Sequence, residues 1–252
     1  MAPKPAADSM PRKSAGIKNL PPQLHRNSLL SIRLNTTPDV AAQLRELQLK
    51  FSEVCNAIAP IVRETRCWNR VALHHLVYRN LRERFPQLGS QMICNAIYSV
   101  SRTCRAIFQA PASPFNLARL GQRPLPHIRF AAEAPVYFDR HTLSIRDGIV
   151  SMLTLDGRVR FQLSISEDDE QRFREERLRE IQLVQQGGQY ELRFVFASDD
   201  DASSPASAPA STTRPATSGT MKGAGTTSEL PEYVVLLDES ETETVKELGE
   251  VA

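Results

Sequence analysis

The sequence predicts an α+β protein: a partly closed, OB-like antiparallel β-barrel with three helices inserted after its first strand, and disordered termini. Three observations lead there. Between residues 37 and 110, apolar residues recur at spacings of three and four, the period of an amphipathic helix. From His127 onward the period falls to two, with Asp-Gly and Gly-Gly turns between the alternating runs. One alternating segment precedes the helices, so strands bracket the helical block.

Residues 1–27 hold five prolines with Lys4, Arg12, Lys13, Lys18 and Arg26, and read as a disordered basic arm. Residues 28–36 are the first barrel strand, and residues 37–110 the helical insertion. Thr37-Pro38-Asp39 opens it with a capping threonine, a proline at the first helical position and an acid at the positive end of the dipole. Leu44, Leu47, Phe51, Val54, Ile58 and Ile61 follow as one apolar stripe, and Pro60 within it is expected to kink or end the helix. A second helix, from about Asn69 to Phe85, turns Leu73, Leu76, Val77 and Leu81 inward before Pro86 and Gly89 break it. A third runs from Ser90 to about Phe108, with Ile93, Ile97, Val100, Cys104 and Phe108 on one side. Residues 111–198 form the barrel block. It starts with the proline-rich loop Pro111–Pro126 and has strands near 127–132, 135–138, 142–146, 149–155, 158–165, 181–186 and 189–197. The charged stretch 166–180 reads as a short polar helix. Residues 199–252 are a Ser/Ala/Thr/Pro/Gly-rich linker and an acidic tail holding one apolar patch, Tyr233–Leu237.

The net charge of +2 conceals a segregation. Residues 1–198 hold 28 basic and 18 acidic side chains, or +10; residues 199–252 hold 3 and 11, or −8; together they give +2. Of the 31 basic residues, 25 are arginine. Arginine forks onto phosphate, stacks on bases and stays charged, so the body suits a polyanion. GC-rich coding also enriches arginine, but it does not explain the concentration before residue 199.

Cys55, Cys67, Cys94 and Cys104 form no C-x-x-C pair, and no secretory or membrane-length apolar run is present. A reducing, cytoplasmic setting and no membrane follow as expectations. His74, His75, Cys67 and Cys55 are zinc-ligand types, but their spacing fits no usual template, and adjacent helical histidines diverge by about 100°. Neither a metal nor a cofactor is expected. Glu167–Glu170 reads as a solvated helix start rather than a metal cluster, and Trp68 as core rather than a stacking platform. With no acid–base, nucleophilic or metal constellation, a catalytic centre is not expected.

The run Tyr78-Arg79-Asn80-Leu81-Arg82-Glu83-Arg84-Phe85-Pro86-Gln87-Leu88-Gly89-Ser90-Gln91 resembles the helix–break–helix of the OrfB/TnpB transposon proteins. Val136–Leu143, followed by Val150-Ser151 and Leu155-Asp156-Gly157-Arg158, is similar to the β-region of the same family, in the same order. The resemblance spans about residues 28–198. It implies the N-terminal half of an RNA-guided nuclease related to type V CRISPR effectors: a wedge-like barrel and a recognition bundle that hold guide RNA and read a motif beside the target. The family's RuvC nuclease half and four-cysteine zinc insert have no counterpart here. Tyr233–Glu239 is faintly similar to the family's first nuclease strand, with Asp238 at the catalytic position, but no partner carboxylates accompany it.

The candidate contacts to RNA or DNA are Arg79, Arg82, Arg84, Arg102 and Arg105, read as phosphate clamps against the alternative of a solvated helix face. Ser90 and Gln91 join them at the amide-rich start of the third helix, where a simple serine cap is the alternative. Tyr233, Val234, Val235, Leu236 and Leu237 read as a docking strand for a sheet edge, in a partner or in the chain's own barrel. The rival readings are a non-catalytic subunit that docks a separate RuvC-type nuclease in trans, and a decayed transposon fragment acting at most as an interaction module.

Overall fold

The structure, a computed structural model, describes residues 28–197 and 230–237. The basic arm, the linker up to residue 229, and Asp238 with the rest of the acidic tail lie outside the described residues. In chain order the elements are β1 (Ser28–Arg33), α1 (Pro38–Thr65), α2 (Arg70–Arg84), α3 (Ser90–Phe108), the single turn α4 (Leu117–Leu120), β2 (His127–Phe130), β3 (Val136–Phe138), β4 (Leu143–Arg146), β5 (Ile149–Thr154), β6 (Gly157–Gln162), α5 (Glu167–Glu175), β7 (Arg177–Gln186), β8 (Gln189–Ala197) and β9 (Val234–Leu237). The class is α+β with antiparallel pairing, and the three-helix insertion follows β1 as the periodicity required.

No closed barrel forms among the described residues. The strands divide into a four-stranded sheet in the order β1-β8-β7-β3, a three-stranded sheet β4-β5-β6, and the pair β2-β9. The division falls between β3 and β4. There the Asp139 side chain accepts hydrogen bonds from the backbone N–H of His141 and Thr142, both at 3.1 Å, and from the Thr142 hydroxyl at 2.8 Å. This Asx-type turn redirects the chain, so β4 opens a new ladder with β5 instead of prolonging the first sheet. Alternation reveals which face of a strand is buried; it says nothing of which strand lies beside it. The β4–β5 turn does follow its local chemistry: Asp147 at φ 51° and Gly148 at φ 72° supply the two positive φ angles of a type I′ hairpin.

The helices correct three details. First, α1 passes through Pro60 and ends only at Thr65, with Arg66 in the left-handed conformation as its cap. Pro60 is exposed, so the hydrogen bond it removes opens toward water, while Ile58 and Val62 on either side are anchored in the core. Second, Leu76 is 54% exposed; Leu73, Val77 and Leu81 alone make the inward stripe of α2. Third, the polar helix α5 is shorter than the charged stretch, because β7 already begins at Arg177 and pairs with Ala197. Ser90 is the first residue of α3, as expected, and not its cap; Gly89 occupies the cap position and provides no side-chain bond.

The core joins helices to sheets. Leu44, Leu47, Phe51, Val54 and Ile58 of α1 are fully buried, as are Leu73 of α2, Ile93 and Val100 of α3, and Phe194 and Phe196 of β8. Phe173 of α5 packs edge-on against Phe194 and Phe196, at 5.0 and 5.3 Å between ring centroids. Trp68 is buried against Phe108 at 5.3 Å, a core residue as its sequence position suggested. A polar stripe on α1 sits beside its apolar one. Gln48 donates to the carbonyls of Glu133 and Ala134, Ser52 to those of Phe130 and Ala131, and Asn56 both donates to and accepts from Phe130. These residues, four apart, satisfy backbone groups that β2 and its following turn would otherwise bury unpaired.

Candidate nucleic-acid interface

The end of α2, the start of α3 and the outer face of β4–β5–β6 form one neighbourhood. A Cβ at Gly89 would stand 3.8 Å from Cδ2 of Leu153 on β5. Gln91 donates to Asp139 Oδ2 at 2.6 Å, and buried Asn95 faces Thr142 at 3.4 Å. The start of α3 is thereby fastened to the turn that begins the three-stranded sheet.

The outer face of this sheet carries arginine without acid. In β6 the period of two puts Arg158 and Arg160 outward while Phe161 is buried. Across the ladder Arg160 faces Ser151, which faces Ser144; Arg158 faces Leu153; Arg146 faces Ile149. Among the described residues no carboxylate shares this face, and Asp147 and Asp156 lie in the turns at its ends. Arg158 is braced by the carbonyls of Ser151 at 3.0 Å and His141 at 2.6 Å, which fixes its fork while its charge stays unneutralised. Arg146 and Arg160 are exposed and have no acid partner among the described residues. Arg158, Arg160 and Arg146 did not enter the candidate set from sequence. The signal was present in Gly157-Arg158-Val159-Arg160-Phe161, an alternation of cation and apolar residue that places both guanidiniums on one side.

The sequence-derived candidates separate into two groups. Arg79 and Arg84 are exposed at the end of α2. Arg79 makes only an exposed i,i+4 pair with Glu83 at 3.4 Å, and the Arg84 guanidinium lies 5.3 Å from the Phe85 ring. Such a surface pair is worth well under about 1 kcal/mol, so Arg79 is readily re-partnered. Arg105 is exposed near the opposite end of α3 and has no partner among the described residues. The other candidates are committed to the fold. Arg82 donates to the Leu88 carbonyl and clamps the break between α2 and α3. Gln91 is held by Asp139. Ser90 is exposed and leaves the amides at the start of α3 without a side-chain cap.

Arg102 turns inward, away from the face expected for it. Its Nε donates to Glu180 Oε1 at 2.7 Å, and the Tyr98 hydroxyl donates to the same carboxylate oxygen. Gln182 Nε2 donates to Oε2 at 3.1 Å. Burial opposes the charge of Arg102, but Tyr137 and Glu180 outweigh it and hold the pKa above its ordinary value. The Tyr98 hydroxyl, desolvated and bonded to a carboxylate, is pushed up to about 12. The two arginines are three residues apart on one helix, and Glu180 enters from a strand 78 residues away, which no helical spacing announces.

The candidate docking strand is occupied within the chain. β9 pairs antiparallel with β2, Phe130 opposite Val234 and His127 opposite Leu237, and Val234 is buried. Tyr233 packs on Phe130 at 6.5 Å between centroids, with its hydroxyl 3.4 Å from Thr103. Of the two sheet edges expected for this segment, the structure shows it on one of the chain's own strands, β2. Leu236 and Leu237 are half-buried and Val235 is 49% exposed.

His74 stacks on Tyr78 at 4.5 Å, and Cys55 and Cys104 are buried thiols whose pKa values burial raises. All four cysteines are free. No group of three or more His, Cys, Asp or Glu among the described residues is placed to hold a metal ion. Glu167–Glu170 occupies the first turn of α5, capped by Ser166. No described helix is long and apolar enough to cross a membrane. Neither a family model nor a curated protein matches the chain.

Proposed function

We propose that the chain is a nucleic-acid-binding module similar to the N-terminal half of the OrfB/TnpB proteins, which holds structured guide-like RNA, duplex DNA or both through arginine–phosphate contacts. The observation that carries this reading is the face of Arg146, Arg158 and Arg160, without acid among the described residues, beside the α2–α3 break and the uncapped start of α3. Guanidiniums on a rigid sheet lose little freedom when they meet phosphate, and free helix amides add donors to the same anion. In this reading α1–α3 are the recognition-like bundle and the two larger sheets the wedge-like body. The free cysteines accord with a reducing, cytoplasmic setting.

The test is fluorescence anisotropy with labelled structured RNA and duplex DNA over a series of salt concentrations. Binding whose log affinity falls linearly with log salt is the expected result. Absence of binding to either probe at low salt, or affinity indifferent to salt, overturns the proposal.

A further inference from the structure

A second basic site lies at the other end of α2. Arg66, Trp68, Asn69, Arg105 and Gln109 line a cavity of about 600 Å3 where α1 ends, α2 begins and α3 ends. No carboxylate among the described residues lines it. Arg66 sits at φ 52°, and its guanidinium donates to the carbonyls of Gly121, at 3.3 and 3.2 Å, and of Arg123, so its charge meets only neutral acceptors. Arg105 projects beside it without a partner among the described residues.

The complementary charge follows β9 directly in sequence. Leu237 stands opposite His127 in antiparallel register, so β9 ends while running in the direction of residues 126 to 123. Arg123 precedes His127 by four residues, a separation of at most about 14 Å of extended chain. The next four residues beyond Leu237 are Asp238, Glu239, Ser240 and Glu241, which span as much and bring three carboxylates. Residues 238–252 hold six acids and one lysine, a net charge of −5. We propose that the cavity is an acidic-peptide site whose occupant is the chain's own segment 238–252, seated by Arg66, Arg105 and Arg123. Tethering at Leu237 gives the segment a high effective concentration, so individually weak contacts suffice. The inference is independent of the nucleic-acid reading, because it is read out by peptide binding.

The test uses a fluorescein-labelled peptide of residues 238–252 and the full-length chain. In one variant the six acids are replaced in place: Asp238→Asn, and Glu239, Glu241, Glu243, Glu247 and Glu250→Gln. Its emptied cavity is expected to bind the peptide at least tenfold more tightly than the unaltered chain does. Adding Arg105→Gln and Arg123→Gln, both exposed positions, is expected to abolish that binding, with the thermal transition serving as the check on folding. Equal affinity of the unaltered and six-acid variant chains, no binding to either, or binding that survives the two arginine substitutions overturns the proposal. Displacement of the peptide from the variant by a duplex oligonucleotide but not by unlabelled peptide also overturns it, in favour of a phosphate site.

Discussion

Replacing Arg84, Arg146 and Arg160 together by glutamine tests the arginine face through its salt dependence. All three are exposed, and none donates to a carboxylate among the described residues, so the fold has little stake in them. Exposed substitutions of this kind change stability by about 0.5 kcal/mol or less each. If each guanidinium displaces one counterion from a phosphate, the slope of log affinity against log salt becomes shallower by about 0.9 per contact, or about 2.7 for the three. Raising salt from about 50 to 200 mM then costs the variant about fortyfold less affinity than it costs the unaltered chain, by the same relation. Anisotropy titrations at four or more salt concentrations read the slope directly, and urea unfolding confirms that the variant is folded. A variant slope equal to the unaltered one refutes the assignment of this face, even if affinity at a single salt concentration drops.

Two further predictions concern the fold. Because α1 continues through an exposed Pro60, Pro60→Ala restores a backbone hydrogen bond and removes ring crowding; a gain of about 1–3 kcal/mol in urea unfolding is expected, and a loss would show that the proline is accommodated by strain elsewhere. Stability is expected to fall as pH rises from about 9 to 12. Burial lifts Cys104 from 9.0 to about 12, and burial with the Glu180 bond lifts Tyr98 from 10.0 to about 12, so the unfolded chain releases these protons first and deprotonation favours unfolding. A flat urea midpoint over that range would contradict the burial of Cys104 and the Tyr98–Glu180 bond.

Much of this architecture was legible locally. The apolar stripe from Leu44 to Ile58, the capping Thr37-Pro38-Asp39, the Asp147-Gly148 turn and the alternation in β7 and β8 each depend on residues within one or two turns of chain. The same is true of Arg79 and Arg84, whose exposure follows from their place on a helix that buries only Leu73, Val77 and Leu81. What remained hidden involves partners distant in sequence. Nothing near Arg102 in the sequence signals Glu180, and nothing near Gln91 signals Asp139.

The sequence by itself determined most of the helical and extended segments, the Thr37 cap, the Asp147-Gly148 turn and the charge divide between body and tail, because these rest on periodicity and composition. Only the tertiary structure decided that the strands form separate sheets, that β9 lies on β2, and which arginines keep their charge for a ligand. The physical reason is that a strand's pattern records burial and not its neighbour. A guanidinium, likewise, keeps its charge for a ligand or not according to whether packing brings it a carboxylate.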